Sequence, residues 1–276
     1  MTEPMILKVR AAASAKAVQH ALTDAAELRA WFAEHAEVDL PGRYEFWGRY
    51  TPEGDAPHQR LLHADDRTLR FEWTLDGVAT TTELTLTDEG PESTLVTLAQ
   101  SHFDFNEALT GASIRGVLQT FWSLALANLV DHVEGRPITP RTDFTSRDLA
   151  ATVTIAAPAS EIYASILDSA KVSEWFGYPV GIEPHVGGRF QMGGLDAEGP
   201  AAIIVDLVPD ERISIDWGPV GVGTWELEGS AGQTKLTLVQ SGFAGEPPYP
   251  AWTGIVAGVA SLRRFHELPG AGIWVA

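Results

Sequence analysis

A chain of 276 residues, 45% hydrophobic and 20% charged, has enough apolar mass for two domains that each bury a core of their own. It contains no cysteine, which excludes disulfide frameworks, Cys-ligated zinc, iron–sulfur clusters and thiol chemistry. A formal charge of −18 spread over both halves argues against nucleic acid and anionic membrane as partners, and no apolar run approaches the ~20 residues of a bilayer span.

The chain opens with a short strand near Met5–Ala11, followed by a helix start signal at Ser14 and a second short helix that ends near Trp31 and Phe32. Alternating strands come next. From Arg43 to Tyr50 one face carries Tyr44, Phe46, Gly48 and Tyr50, and the other Arg43, Glu45, Trp47 and Arg49. From Leu69 to Leu75 the apolar face is Leu69, Phe71, Trp73 and Leu75. A period of two with one dry face predicts an antiparallel sheet covered on a single side. Ile114, Val117, Leu118, Phe121, Trp122, Ala125, Leu129 and Val133 then recur at spacings of three and four, which predicts a long closing helix.

After a proline-bearing linker at 136–141 the order repeats. Residues 9–32 align with 153–176 at an offset of 144 with eight identities in 24 positions, among them Asp24/Asp168, Trp31/Trp175 and Phe32/Phe176. Trp73 answers Trp217, and residues 94–103 read against 234–243 with six identities in ten. The period exceeds the 20–50 residues of solenoid units, so two copies of one domain are expected, 1–138 and 139–276. The second closing helix carries Trp252, Ile255, Val256, Val259, Leu262 and Phe265, but also the small residues Gly254, Ala257, Gly258 and Ala260. Small residues there leave volume between helix and sheet, or permit close approach of the other domain.

The strand-then-helix opening, the paired Trp-Phe motifs, the Gly-Arg-aromatic strand starts at Gly42 and Gly188, and the Thr-Leu-x-Gln-Ser-x-Phe strand together resemble the START/Bet v1-like helix-grip (SRPBCC) superfamily. The branch they resemble is the one related to the Hsp90-ATPase activators. The resemblance implies an α+β fold of two tandem helix-grip domains, each an antiparallel sheet wrapped around a long C-terminal helix. Family members often carry histidine where Gln100 and Gln240 stand here. The tandem arrangement resembles two-domain members associated with polyketide and enediyne pathways, the dynemicin type included. This implies a role in antibiotic biosynthesis or self-resistance.

Catalytic signatures are sparse. The eight histidines are scattered without metal-ligand spacing, and the glycine-rich stretches lack the features of a P-loop or a dinucleotide fold. His102 alone is carried as an acid–base candidate, because strand alternation turns it toward the last helix. The tryptophans say more: nine in one chain, most on inward faces. A sheet gripping one helix encloses a space that is either filled or used.

A cavity for an elongated hydrophobic molecule, of polyketide or polyene type by resemblance, is therefore expected without cofactor or metal. Its contacts in the first domain are Trp31, Tyr44, Phe46, Trp73, Phe121 and Trp122, with Gln100 and His102 as polar anchors. In the second they are Trp175, Phe190, Met192, Trp217 and Trp252, with Gln240 as anchor. Binding is favoured over catalysis. A polyketide cyclase or aromatase using His102 or a pocket arginine is the alternative, and a module that docks on a chaperone, carrier protein or biosynthetic enzyme is a further one. The first strand-like run follows no secretory signal, so a cytoplasmic location is expected.

Overall fold

The computed structural model describes residues 4–102, 113–147, 149–243, 245, 247–268 and 274–275, without the side chains of 250, 252, 253 and 255. Phe103 and Trp252 thus lie outside the described residues and side chains. The chain forms two compact units. One runs to Thr145 and takes in Trp274 and Val275; the other starts at Ser146. Residues 139–145 belong with the first unit: Asn128 exchanges two hydrogen bonds with the Thr139 backbone, both at 2.9 Å, and the Phe144 N–H donates to the Arg49 carbonyl.

In the first unit β1 (Met5–Ala11) is followed by α1 (Ala15–Thr23) and α2 (Ala25–Trp31). Strands β2 (His35–Asp39) and β3 (Arg43–Trp47) form a separate hairpin. Strands β4 (Gln59–Ala64), β5 (Thr68–Leu75), β6 (Val78–Gly90) and β7 (Ser93–Gln100) join β1 in an antiparallel sheet of order β1-β7-β6-β5-β4. A 3-10 turn, Ile114–Val117, leads into α3 (Leu118–Val133). The alternation read from the sequence is obeyed: Leu69, Phe71, Trp73 and Leu75 are buried, as are Tyr44 and Phe46.

The second unit repeats the order with β8 (Leu149–Ile155), α4 (Ala159–Leu167), α5 (Ser169–Phe176), β9 (Val180–Ile182), β10 (Arg189–Met192), β11 (Ala202–Val208), β12 (Arg212–Asp216), β13 (Val222–Ser230), β14 (Gln233–Ser241) and α6 (Tyr249–Glu267). Here all the strands join one sheet, β8-β14-β13-β12-β11-β10-β9. Each unit is therefore an antiparallel sheet with a long C-terminal helix, the helix-grip arrangement of α+β class.

The residues shared by the copies do the same local work in both. Asp24 caps α2 by accepting from the Ala26 and Glu27 N–H groups at 2.8 and 3.0 Å; Asp168 caps α5 by accepting from Ala170 and Lys171 at 2.9 and 3.0 Å. A carboxylate there satisfies amides that a helix start leaves unpaired. The Trp31 indole N–H donates to the Ala21 carbonyl and that of Trp175 to the Ser165 carbonyl, each at 3.0 Å, which ties each short helix to the one before it. The Thr94 and Thr234 hydroxyls donate to the Ala13 and Ala157 carbonyls, each at 2.7 Å.

Candidate functional site

In the first unit the expected aromatic contacts meet one another. Trp73, fully buried, has ring centroids of Phe46, Phe121 and Trp122 at 5.2, 5.7 and 6.0 Å. Phe32 lies parallel to Trp122 at 5.7 Å and also touches Phe46 and Phe121. Tyr44 closes the cluster against Phe46 and Phe71, and its burial pushes the phenol pKa well above the ordinary value. Offset and edge-to-face rings at these separations are a packed interior.

Gln100, fully buried, is absorbed by the same cluster. Its Oε1 accepts from the Thr82 hydroxyl at 2.7 Å and from the Trp122 indole N–H at 3.1 Å, while its Nε2 donates to the Ser101 carbonyl. A recess does exist beside this core. It is partly open to solvent and lined by Trp31, Tyr50, Phe121, Asn128, Arg141 and Thr142. Its clear space is about what one water molecule needs. Arg141 stands over the Tyr50 ring at 4.0 Å and donates to the Arg29 and Ala33 carbonyls, and burial lowers its pKa.

His102 departs from expectation. Strand β7 ends at Gln100, and His102 takes a left-handed backbone with φ of 55°. That reversal breaks the alternation which would have turned the ring toward α3. The imidazole is exposed, with Nδ1 3.0 Å from the Ser101 hydroxyl.

In the second unit the sheet and closing helix can be laid over the first by two equivalent bonds. The Ala12 N–H donates to the Glu134 carboxylate and the Ala156 N–H to that of Glu267, which pairs the helices at an offset of 133. Leu126, Ala127 and Leu129 then match Val259, Ala260 and Leu262, all buried. In this register Phe121 answers to Gly254 and Trp122 to Ile255. A side chain added at Gly254 would begin in open space, with no described atom within 4 Å of its Cβ. At Gly258, one turn on, it would touch Trp175 at 3.6 Å and Phe176 at 3.8 Å. Phe176 itself is 40% exposed, where its counterpart Phe32 is 4% exposed.

The remaining expected residues divide. Phe190 is buried, with the Trp217 ring at 5.4 Å, and Met192 packs partly buried beside the same core. Trp217 lies one residue beyond β12, at the start of a 3-10 turn, and is only partly buried, whereas Trp73 lies within its strand. Trp175 is buried with its indole already bonded to Ser165. Gln240 faces inward with Leu236 and Leu238 and is 5% exposed. Its Nε2 donates to the Val220 carbonyl at 2.6 Å, and its Oε1 is buried with no partner among the described residues. Trp225 was not among the expected contacts, yet it is buried on the inner face of β13 where the matching residue of β6 is Leu84; its period-two placement with Leu227 is the signal that marks it.

Among the described residues no group of three or more acidic or histidine side chains could hold a metal ion, and no helix is long and apolar enough to cross a membrane. A model of the family "Activator of Hsp90 ATPase homolog 1-like protein" matches residues 12–134 and again 156–262. The chain belongs to that family. Each AHSA1-like match begins just after the first strand of its copy and spans the opening helices and the remaining strands, with all of α3 in the first and most of α6 in the second. No curated protein matches the chain. Similar solved structures include CalU16 from Micromonospora echinospora, 24% identical over 49% of this chain and 76% of its own, with a TM-score of 0.38. Two others run nearly the whole length. One is BexL, a di-domain ARO/CYC from the BE-7585A biosynthetic pathway, 18% identical over 98% of this chain and 100% of its own, TM-score 0.38. The other is DynU16, from the dynemicin biosynthetic locus, 18% identical over 97% and 98%, TM-score 0.41.

Proposed function

We propose that this tandem AHSA1-like protein binds an apolar, elongated small molecule inside its second domain, with polyketide- or polyene-type compounds as the ligand class. One contrast carries the reading. The rings of Phe32, Phe121 and Trp122 that fill the first domain have no inward ring at the matched positions of the second, where Phe176 is at the surface, position 254 is glycine and position 255 is isoleucine. Half-buried Trp217 and Met192 supply apolar walls on the sheet side, and Gln240 a polar point. Sites for small molecules combine these features: mostly apolar lining and few polar groups. Burying about 300–400 Å² of apolar ligand surface gains ~7–10 kcal/mol at ~25 cal/mol/Å², and the cost of lost ligand freedom brings this to micromolar affinity.

The residues favour binding over proton transfer, since His102, the acid–base candidate for a cyclase, stands at solvent. Titration of intrinsic tryptophan fluorescence with a panel of polyenes and aromatic polyketides tests the proposal. Saturable quenching is expected, and its loss in Gly254→Phe with an unchanged circular dichroism spectrum would place the site. Flat titrations across the panel with folded protein would overturn it.

A further inference from the structure

We infer, resting on the reading that the second domain holds an apolar ligand, that this ligand presents a hydroxyl or N–H donor to Oε1 of Gln240. The two glutamines occupy equivalent places at the ends of β7 and β14, and each faces the neighbouring strand in the same register: Gln100 opposite Thr82, Gln240 opposite Gly223. In the first domain the oxygen is saturated by Thr82 and Trp122. In the second both donors are gone, because Gly223 has no side chain and the position matching Trp122 is Ile255, whose side chain has no N–H or O–H. The glutamine nevertheless remains, on a face where Leu236 and Leu238 precede it and where a leucine would avoid burying an unpaired amide oxygen.

The orientation of the Gln240 amide is fixed. Its Nε2 donates to the Val220 carbonyl at 2.6 Å, and exchanging oxygen and nitrogen would set two acceptors against each other. What the amide offers the interior is therefore an acceptor. A buried acceptor without a partner selects ligands that carry a donor and discriminates against isosteres that lack one. Phenols, enols and secondary amides satisfy it; carboxylates, quinones and methyl ethers do not.

Equilibrium titration of the intact chain with 2-naphthol and 2-methoxynaphthalene, followed by tryptophan quenching, tests this without any variant. Naphthol is expected to bind at least about tenfold more tightly, although its ether has the larger apolar surface. Gln240→Leu and Gln240→Met should lose the preference for naphthol, the two probes then binding within about twofold of each other. Equal affinity for the two probes in the unaltered protein would overturn the inference while leaving the apolar site standing. So would a preference that survives both substitutions. Binding of neither probe would remove the site and the inference with it.

Discussion

The two domains began as one sequence and now differ in what they do with the space under the closing helix. The first fills it: Phe32, Phe46, Trp73, Phe121 and Trp122 form a continuous aromatic interior, and Gln100 is hydrogen-bonded into it. The second keeps the frame, including Asp168, Trp175 and Thr234, but has glycine at 254, isoleucine at 255 and Phe176 at the surface. Under the proposed function, one copy carries stability while the other gives up packing for a ligand, since close-packed interiors and ligand cavities are competing uses of one volume. Among the identities that survive between copies, Asp24/Asp168, Trp31/Trp175 and Thr94/Thr234 are caps and backbone staples, whereas Phe32/Phe176 and Gln100/Gln240 keep the residue and change its surroundings. The divergent positions Phe121/Gly254, Trp122/Ile255 and Thr82/Gly223 are those that line the interior of the first domain.

The largest effect is expected where the filled domain is emptied. Trp122→Ala should destabilise the first domain by about 3–5 kcal/mol, the cost of a large buried ring. It also removes one of the two donors to Gln100 Oε1. Urea unfolding of the variant against the unaltered protein measures this, fitted as two domain transitions rather than one. The opposite change sharpens the comparison: Gly254→Phe adds a ring where the first domain already has one. It should change second-domain stability by less than about 1 kcal/mol while abolishing ligand quenching. A loss of about 1–3 kcal/mol, the usual cost of overpacking, would mean that the volume is already occupied.

Much of this frame was legible in the sequence, because repetition is a strong signal. The offset of 144 exposed the duplication, and period-two alternation placed Tyr44, Phe46 and Trp73 inward, where they are buried. The site was harder to read, for identifiable reasons. Aromatic residues on an inward face look alike whether they line a cavity or fill one; only ring separations distinguish them. His102 was misplaced because strand alternation was carried two residues past the end of β7, to a residue whose backbone is left-handed. Trp217 answers Trp73 in sequence but falls beyond its strand, a shift that follows from β12 ending at Asp216. The glycines at 223 and 254 were the informative residues, and their meaning emerged only once strand register and helix register set them against Thr82 and Phe121.

A smaller pair of effects tests whether the shared frame is equivalent in the two copies. Asp24→Ala and Asp168→Ala each remove a carboxylate that accepts two amide hydrogen bonds at a helix start. Each should cost about 1 kcal/mol in its own domain, and the two losses should agree within about 0.5 kcal/mol. A large inequality would show that the second copy has relaxed its frame as well as its interior.

The smallest effect concerns a surface ion pair of the second domain, Arg189 with Glu183, which answers Arg43 with Glu37 in the first. The Arg189 guanidinium donates to both oxygens of Glu183 and, with the Arg189 backbone N–H, draws the Glu183 carboxyl from an ordinary 4.5 down to about 2. The folded state thus binds the proton less readily than the unfolded chain. The pair's contribution is fully present above about pH 4.5 and is lost as pH falls toward 2. Glu183→Gln should flatten that part of the second domain's acid-unfolding profile and leave the first domain's transition where it was. Because the pair is exposed, added salt should shrink the difference between variant and unaltered protein. The carboxyl carbon resonance of Glu183 should titrate near pH 2 in the folded protein. A midpoint near 4.5 would show that the guanidinium is not held against the carboxylate in solution, and the pH effect of the substitution should then vanish with it.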